Sequence, residues 1–323
     1  MKGIRTIGVL TSGGDAPGMN AAIRAVVRTA IYHGIRVLGI KRGYNGLING
    51  DIEEIHLRGV SGIIHRGGTV LYTARCKEFM TPEGLEAAAK TCKDFEIDAL
   101  VVIGGDGSFR GALAFSRYGI PCVGIPGTID NDIACSEYTI GYDTAMNTAM
   151  EMIDKLRDTT QSHDRCSVVE VMGRNAGYIA INTGIAVGAI ATIIPEVPYD
   201  LDRDIIPRML NTQQTGKKHF IILVAEGIGK ALNIAQQVKE KTGIEARATV
   251  LGHVQRGGSP TLRDRVLASQ MGYHAVCLLQ AGKENRVVAV QGGGIVDYDI
   301  DEALSMKKEI DTELMKMSQI ISI

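Results

Sequence analysis

Two carboxylates two positions apart, Asp130 and Asp132, stand in the stretch Pro126-Gly-Thr-Ile-Asp-Asn-Asp132 beside the hydroxyl of Thr128. Such a pair can serve proton transfer and Mg²⁺-phosphate chemistry together. The same residues also make an ordinary solvated turn rich in Asx side chains, so the stretch gains meaning from what surrounds it. Ahead of it, Gly119–Ile125 reads as a short buried apolar strand. That puts the carboxylates in the loop at a strand's carboxyl end, where open α/β sheets hold their ligands.

Other strand ends carry chemistry as well. Thr6–Leu10 runs into Thr11-Ser-Gly-Gly-Asp-Ala-Pro-Gly18 and then a helix from about Met19, with apolar Ile23, Val26, Val27, Ala30 and Ile31 at helical spacing. Strand, glycine turn and helix N-terminus make an anion site from free backbone N–H groups and the helix dipole. Neither a Walker A loop nor a G-x-G-x-x-G occurs. Ile97–Ile103 leads into Gly104-Gly-Asp-Gly-Ser108, a loop whose backbone can approach phosphates closely and whose Asp106 can hold Mg²⁺. Ser167–Met172 delivers Gly173 and Arg174, a guanidinium able to neutralise a phosphoryl group. Phe220–Ala225 ends in Glu226, and Thr249–Pro260 carries His253 and Arg256 before a glycine turn, within a basic set that includes Arg165 and Arg247. Arg24 and Arg28 share a helix face as a surface pair able to hold phosphate. Residues 65–80 place Arg66 and Arg75 around a β-like run, and 143–161 reads as a helix with Asp143 or Thr144 near its N-cap.

The elements that must position these groups alternate, strand then amphipathic helix, almost throughout. That predicts parallel sheets with right-handed crossovers. At 323 residues the chain can build two domains, and 35 basic against 36 acidic residues argue against binding nucleic acid or a membrane surface by bulk charge. No run approaches the roughly 20 apolar residues of a membrane span. Met1–Arg5 runs directly into a strand, so no signal peptide is expected. The six cysteines, 76, 92, 122, 135, 166 and 277, show no metal spacing and read as reduced cytosolic thiols.

The motifs Thr11–Asn20, Gly104–Gly107, Pro126–Asp132, Met172–Arg174 and Leu251–Pro260, in order over residues 4 to about 300, resemble the bacterial ATP-dependent 6-phosphofructokinase family. The resemblance implies two three-layer α/β/α Rossmann-like domains with mostly parallel sheets. The larger, ATP-binding domain is expected over 1–140 plus 254–306 and the smaller, sugar-phosphate-binding domain over 141–253 plus 307–323, with the active site in the cleft between them. It implies Asp130 as the general base for the sugar 1-hydroxyl, with Thr128, Ile129 and Asp132 at the substrate, and Arg174 and Gly14 stabilising the transferring phosphoryl. Asp106 would hold the metal. Tyr44, Arg75, Cys76, Gly105, Gly107 and Ser108 would seat ATP. Met172, Gly173, Glu226, His253 and Arg256 would bind fructose 6-phosphate, and Arg165 and Arg247 would reach it from a neighbouring subunit of a homotetramer. The implied enzyme is a cytoplasmic, Mg²⁺-dependent kinase of glycolysis.

Gly107 and Gly127 favour ATP over pyrophosphate, because relatives using pyrophosphate tend to carry Asp and Lys there. The family's allosteric site for ADP or phosphoenolpyruvate implies roles for Arg24, Arg28, Arg157, Lys217 and His219. Its acidic residue stands as Ile190, however, and expected cations stand as Thr215 and Leu57, with Arg58 displaced by one. Blunted or altered allostery is therefore expected, and strong activation by ADP would contradict it. Tyr178 stands where relatives usually carry Asp, with no account from sequence. Two rivals are a kinase of the NAD or lipid type sharing only the Gly-Gly-Asp-Gly loop, and a non-catalytic sensor of nucleotide or sugar phosphate on the same fold.

Overall fold

The computed structural model describes residues 3–322. Eleven strands among them form two sheets: β1 (Thr6–Thr11), β2 (Arg36–Ile40), β3 (Ile52–Glu54), β4 (Ala99–Gly104), β5 (Cys122–Pro126), β6 (Cys166–Val171), β7 (Ala191–Ile193), β8 (Phe220–Ala225), β9 (Ala246–Val250), β10 (Arg286–Gln291) and β11 (Gly294–Asp299). The fold is α/β with mostly parallel sheets.

By contacts the chain divides into two compact units. The stretches up to Ile129, Ile133–Thr144 and Arg256–Lys308 form the first; Asp130–Asp132, Ala145–Gln255 and Glu309 onward form the second. In the first unit the sheet order is β11-β10-β5-β4-β1-β2-β3. Its inner strands run parallel, and the antiparallel pairs β10/β11 and β2/β3 close the two edges. β1 and β4 are buried along their whole length, as expected of strands covered on both faces. Phe109, Phe115, Leu10, Leu38, Leu100 and Val102 lie in a core on this sheet. In the second unit β7-β8-β6-β9 are all parallel. Its core gathers Val168, Ile190, Ile222, Val224, Met209 and Phe220. Arg208 ties the last helix, Thr312–Ile321, to this unit by donating to the Ile190 carbonyl at 3.0 Å and the Ser322 hydroxyl at 3.1 Å.

One sequence expectation is corrected here. Residues 65–80 contain no strand; they are turns, irregular backbone and a short 3₁₀ turn at Glu78–Met80. Side chains satisfy this backbone instead. Asn20 donates to the carbonyls of Arg66 and Gly67 and accepts from Val70 N, while Thr11 Oγ1 donates to the Tyr72 carbonyl. The helix expected over 143–161, with Asp143 or Thr144 near its N-cap, runs Tyr142–Ser162, and its start is held from a distance. Asp264, on the helix Leu262–Gln280, accepts from Gly141 N at 2.9 Å and from Thr144 N at 2.8 Å, and Thr144 gives Asp264 its hydroxyl proton as well.

Candidate active site

In the first unit, the glycine loops after β1 and β4 lie against each other. Ser12 N donates to the Ile103 carbonyl at 2.9 Å, and a Cβ at Gly104 would fall 2.4 Å from the Ser12 carbonyl oxygen. Only glycine permits that approach. Beyond it, Asp106 opens the helix Asp106–Ser116, whose N-terminus has no side-chain cap, and Ser108 N turns back to the Gly105 carbonyl at 2.9 Å. Gly107 is exposed with open space where a Cβ would be, whereas Gly127 is buried and a Cβ there would press on Ile103 and Met19. Gly127 is thus small for internal packing as well as for any ligand.

Tyr44 is buried. It stacks on Phe79 with ring centroids 3.8 Å apart and donates to the Ser108 carbonyl at 2.6 Å, supporting this helix from beneath. Cys76 packs against the same core and Arg75 is exposed. Gly14 is exposed in its loop, and Arg256 lies directly over it: a Cβ at Gly14 would meet the Arg256 guanidinium at 2.0 Å. Two groups assigned separately from sequence, one to the phosphoryl group and one to the sugar phosphate, are therefore neighbours.

The loop after β5 changes character along its length. Thr128 belongs to the first unit, its carbonyl accepting from Thr139 Oγ1 at 2.6 Å, and Ile129 is buried there. Asp130–Asp132 belong by contact to the second unit. Asp130 is buried at 8 % exposure, and Asn131 holds a left-handed φ of 52° that its short polar side chain tolerates. Asp132 is half-buried, 3.8 Å from the Arg174 guanidinium.

The other groups of the second unit sit at the carboxyl ends of three adjacent strands. β6 delivers buried Met172, then Gly173 and Arg174; its neighbour β8 delivers Glu226, and its other neighbour β9 leads into the turn Gly252–Arg256 with exposed His253. Arg165 and Arg247 come from the opposite end of β6 and from the edge strand β9. They lie close to one acid: Glu245 is held below the usual carboxylate range first by Lys239, with Arg165 and Arg247 adding to the effect.

Of the expected effector residues, Arg24 and Arg28 fall in the first unit and Arg157, Lys217 and His219 in the second. Burial, then the charge of Arg28, lowers the Arg24 pKa. Burial followed by Arg157 does the same for Lys217, and burial followed by Lys217 and Arg157 keeps His219 below its ordinary value. Within each set, like charge adds to burial in lowering these values. Ile190 is fully buried in the core, Thr215 is exposed and gives its hydroxyl to the Thr212 carbonyl, and Leu57 and Arg58 are exposed.

Tyr178, unexplained from sequence, lies near the carboxylate loop: burial first, then Glu196 and Asp132, push its hydroxyl up to about 12. Sequence reading also passed over Gln255, fully buried between His253 and Arg256 and accepting from Met172 N at 2.8 Å. Its place inside the Gly-His-Val-Gln-Arg motif was the available signal.

A family profile described as Phosphofructokinase matches residues 6–279. The chain is 59 % identical over 319 residues to a protein of Clostridium botulinum (strain Hall) named ATP-dependent 6-phosphofructokinase, covering 99 % of this chain and all of that one. It is 56 % identical over 320 residues to one of the same name from Alkaliphilus metalliredigens, with the same coverage. Among solved structures, phosphofructokinase from Saccharomyces cerevisiae superposes with a TM-score of 0.90 at 34 % identity, over 99 % of this chain and 48 % of the yeast chain, so this chain spans about half its length. A pyrophosphate-dependent phosphofructokinase from Marinobacter aquaeolei shares the fold, with a TM-score of 0.84 at 23 % identity over 96 % of this chain and 86 % of that one.

Proposed function

The chain belongs to the phosphofructokinase family, and from that premise we propose that it transfers the γ-phosphoryl group of ATP to the 1-hydroxyl of fructose 6-phosphate, a step of glycolysis. The observation that carries the reading is the loop 128–132, which holds a buried carboxylate, Asp130, beside Asp132 and its partner Arg174. In this reading Asp130 takes the proton from the sugar hydroxyl as that oxygen attacks. Thr128 and Asp132 orient the loop and the acceptor. Arg174 and the amides near Gly14 meet the charge spreading over the transferring oxygens, and the backbone from Gly105 to Ser108 holds the nucleotide phosphates. Phosphoryl transfer asks mainly for positioning and electrostatic stabilisation, which is what these groups provide.

A Mg²⁺ ion fits the donor set. Among the described residues no cluster of three or more His, Cys, Asp or Glu could cage a metal, and Mg²⁺ in kinases is typically held by one or two carboxylates and the nucleotide's own phosphates. Asp106, half-buried at a helix N-terminus beside the glycine loop, is the carboxylate we assign. The ion would neutralise phosphate charge.

Met172, Gly173, Glu226, His253 and Arg256 are assigned to fructose 6-phosphate. Arg165 and Arg247 are assigned to the 6-phosphate of a neighbouring subunit within a homotetramer. The cationic residues Arg157, Lys217 and His219, with Arg24 and Arg28, are assigned to an anionic effector, with blunted response to ADP because Ile190 offers no metal ligand. Among the described residues no helix is long and apolar enough to cross a membrane, and a cytoplasmic location is proposed from the glycolytic role.

The test is sugar-dependent ADP release from Mg-ATP with fructose 6-phosphate, with pyrophosphate as parallel donor and Asp130→Ala as control. Turnover with ATP, falling by about 10²–10⁴ in the variant as expected for a lost general base, supports the reading. Turnover with pyrophosphate alone overturns the donor assignment, and sugar-phosphate binding without turnover points to the sensor.

A further inference from the structure

We infer that Gln255 is a positioning residue for phosphoryl transfer, acting through the backbone of the turn that carries Arg174; this deepens, and rests on, the kinase reading above. The turn after β6 is unusual backbone. Gly173 has φ 142°, and Arg174, a residue with a Cβ, is left-handed at φ 57°. Such a conformation costs free energy and persists only where its surroundings enforce it.

Two side chains do the enforcing here. Gln255 Oε1 accepts from Met172 N at 2.8 Å, and Glu226 Oε1 accepts from both Gly173 N at 3.2 Å and Arg174 N at 2.5 Å. Three consecutive amides are thus claimed by two side chains, one from each strand flanking β6. The strand ladder delivers both to that place: Glu226 N still bonds the Val171 carbonyl beyond the end of β8, and Leu251 N still bonds the Glu170 carbonyl just before the turn of Gln255. A carboxylate in a run of backbone N–H groups forms an anion nest. Glu226 therefore fixes the amides on either side of the strained peptide, while Gln255 fixes the one just before it.

Gln255 is also not explained by ordinary core packing. It is fully buried, yet its Nε2 has no hydrogen-bond acceptor among the described residues. A buried, half-satisfied amide is a net liability to stability, so what this side chain contributes lies at its Oε1 end. That end sets the path of the chain into Arg174, whose guanidinium faces Asp132. A shift of about 1 Å in a charge-stabilising group is enough to cost about a hundredfold in rate.

The experiment is a double-mutant cycle on kcat in the sugar-dependent ADP assay, using the full chain, with circular dichroism melting of every variant. Gln255→Met keeps the volume and removes the acceptor, and is expected to lower kcat by about tenfold to a hundredfold. In an Arg174→Ala background the same change is expected to cost less than about twofold, because no guanidinium remains to be misplaced. Gln255→Glu restores an acceptor for Met172 N and is expected to recover kcat to within about threefold of the parent. Equal losses in both backgrounds, or a folded Gln255→Glu variant as slow as Gln255→Met, overturn the inference and leave the kinase reading standing. An Arg174→Ala variant with parental kcat overturns the role given to Arg174 and the inference with it. If Gln255→Met does not fold, the cycle is run with Gln255→Glu: a kcat within about threefold of that of the same background without the change, in both backgrounds, supports the acceptor role, and a loss above about tenfold relative to the otherwise unchanged chain refutes it.

Discussion

The loop after β4 and the turn after β6 each follow a strand of a mostly parallel sheet, yet they are built in opposite ways. The first is made of backbone. Gly104 lets one loop lie on the carbonyl of Ser12, and no side chain caps the helix that Asp106 opens. The second is made by side chains, Gln255 and Glu226 holding three amides so that one guanidinium stands where it is needed. The difference matches the role proposed above for each. Phosphates of a nucleotide can be met by many small dipoles at once, for which glycine is the best material. A single cation aimed at a transferring group must be held in one orientation, which takes specific acceptors from distant parts of the sequence.

Three experiments sharpen or break this contrast. Gly107→Asp introduces a side chain into open space, so thermal stability is expected to stay at the parental level while kcat/KM for ATP falls by about a hundredfold through like-charge repulsion of the phosphates. A variant that keeps its ATP turnover would show that the loop does not face the nucleotide. Gly104→Ala is expected to do the reverse. Its Cβ must push on the Ser12 backbone 2.4 Å away, destabilising the fold by about 1–3 kcal/mol, read as a lower urea midpoint. An unchanged midpoint would remove the close approach from the account.

The third concerns titration, since backbone contacts carry no ionisable group and side-chain ones do. Asp264, which holds Gly141 and Thr144 at the start of the helix Tyr142–Ser162, has its pKa raised from 3.8 to about 6, burial outweighing the three hydrogen bonds it accepts. Between those values the folded carboxyl keeps its proton while the unfolded one has lost it. Folding stability due to this group therefore decreases as pH rises from about 4 to 6, by about 1 kcal/mol per pH unit. Urea unfolding across that range should show the decline in the parent relative to Asp264→Asn; parallel pH profiles would refute the assignment.

The sequence made legible those parts whose causes are local. Buried apolar runs placed β1, β4, β5, β6 and β8 within three residues at either end, and glycine-rich strand ends pointed to the loops. Where the cause is distant, reading failed. The backbone of residues 66–72 resembles a strand in composition but bonds to Asn20 and Thr11, and Thr144 looks like a helix cap but gives its hydroxyl to Asp264, 120 positions away. Gln255 stood inside a motif already singled out, but its acceptor role depends on the ladder between β9 and β6. Tyr178 gained a setting only when folding brought it near Asp132.

Ile190 also sets what its position can accept. Its side chain is fully enclosed by the core of the four-stranded sheet, while Arg208 takes up its carbonyl. An acid reintroduced at that position would be a charge among Val, Ile and Phe side chains, and would be disfavoured before any ligand arrived to compensate it. The packing itself therefore closes this position to a carboxylate, whatever is bound elsewhere on the molecule.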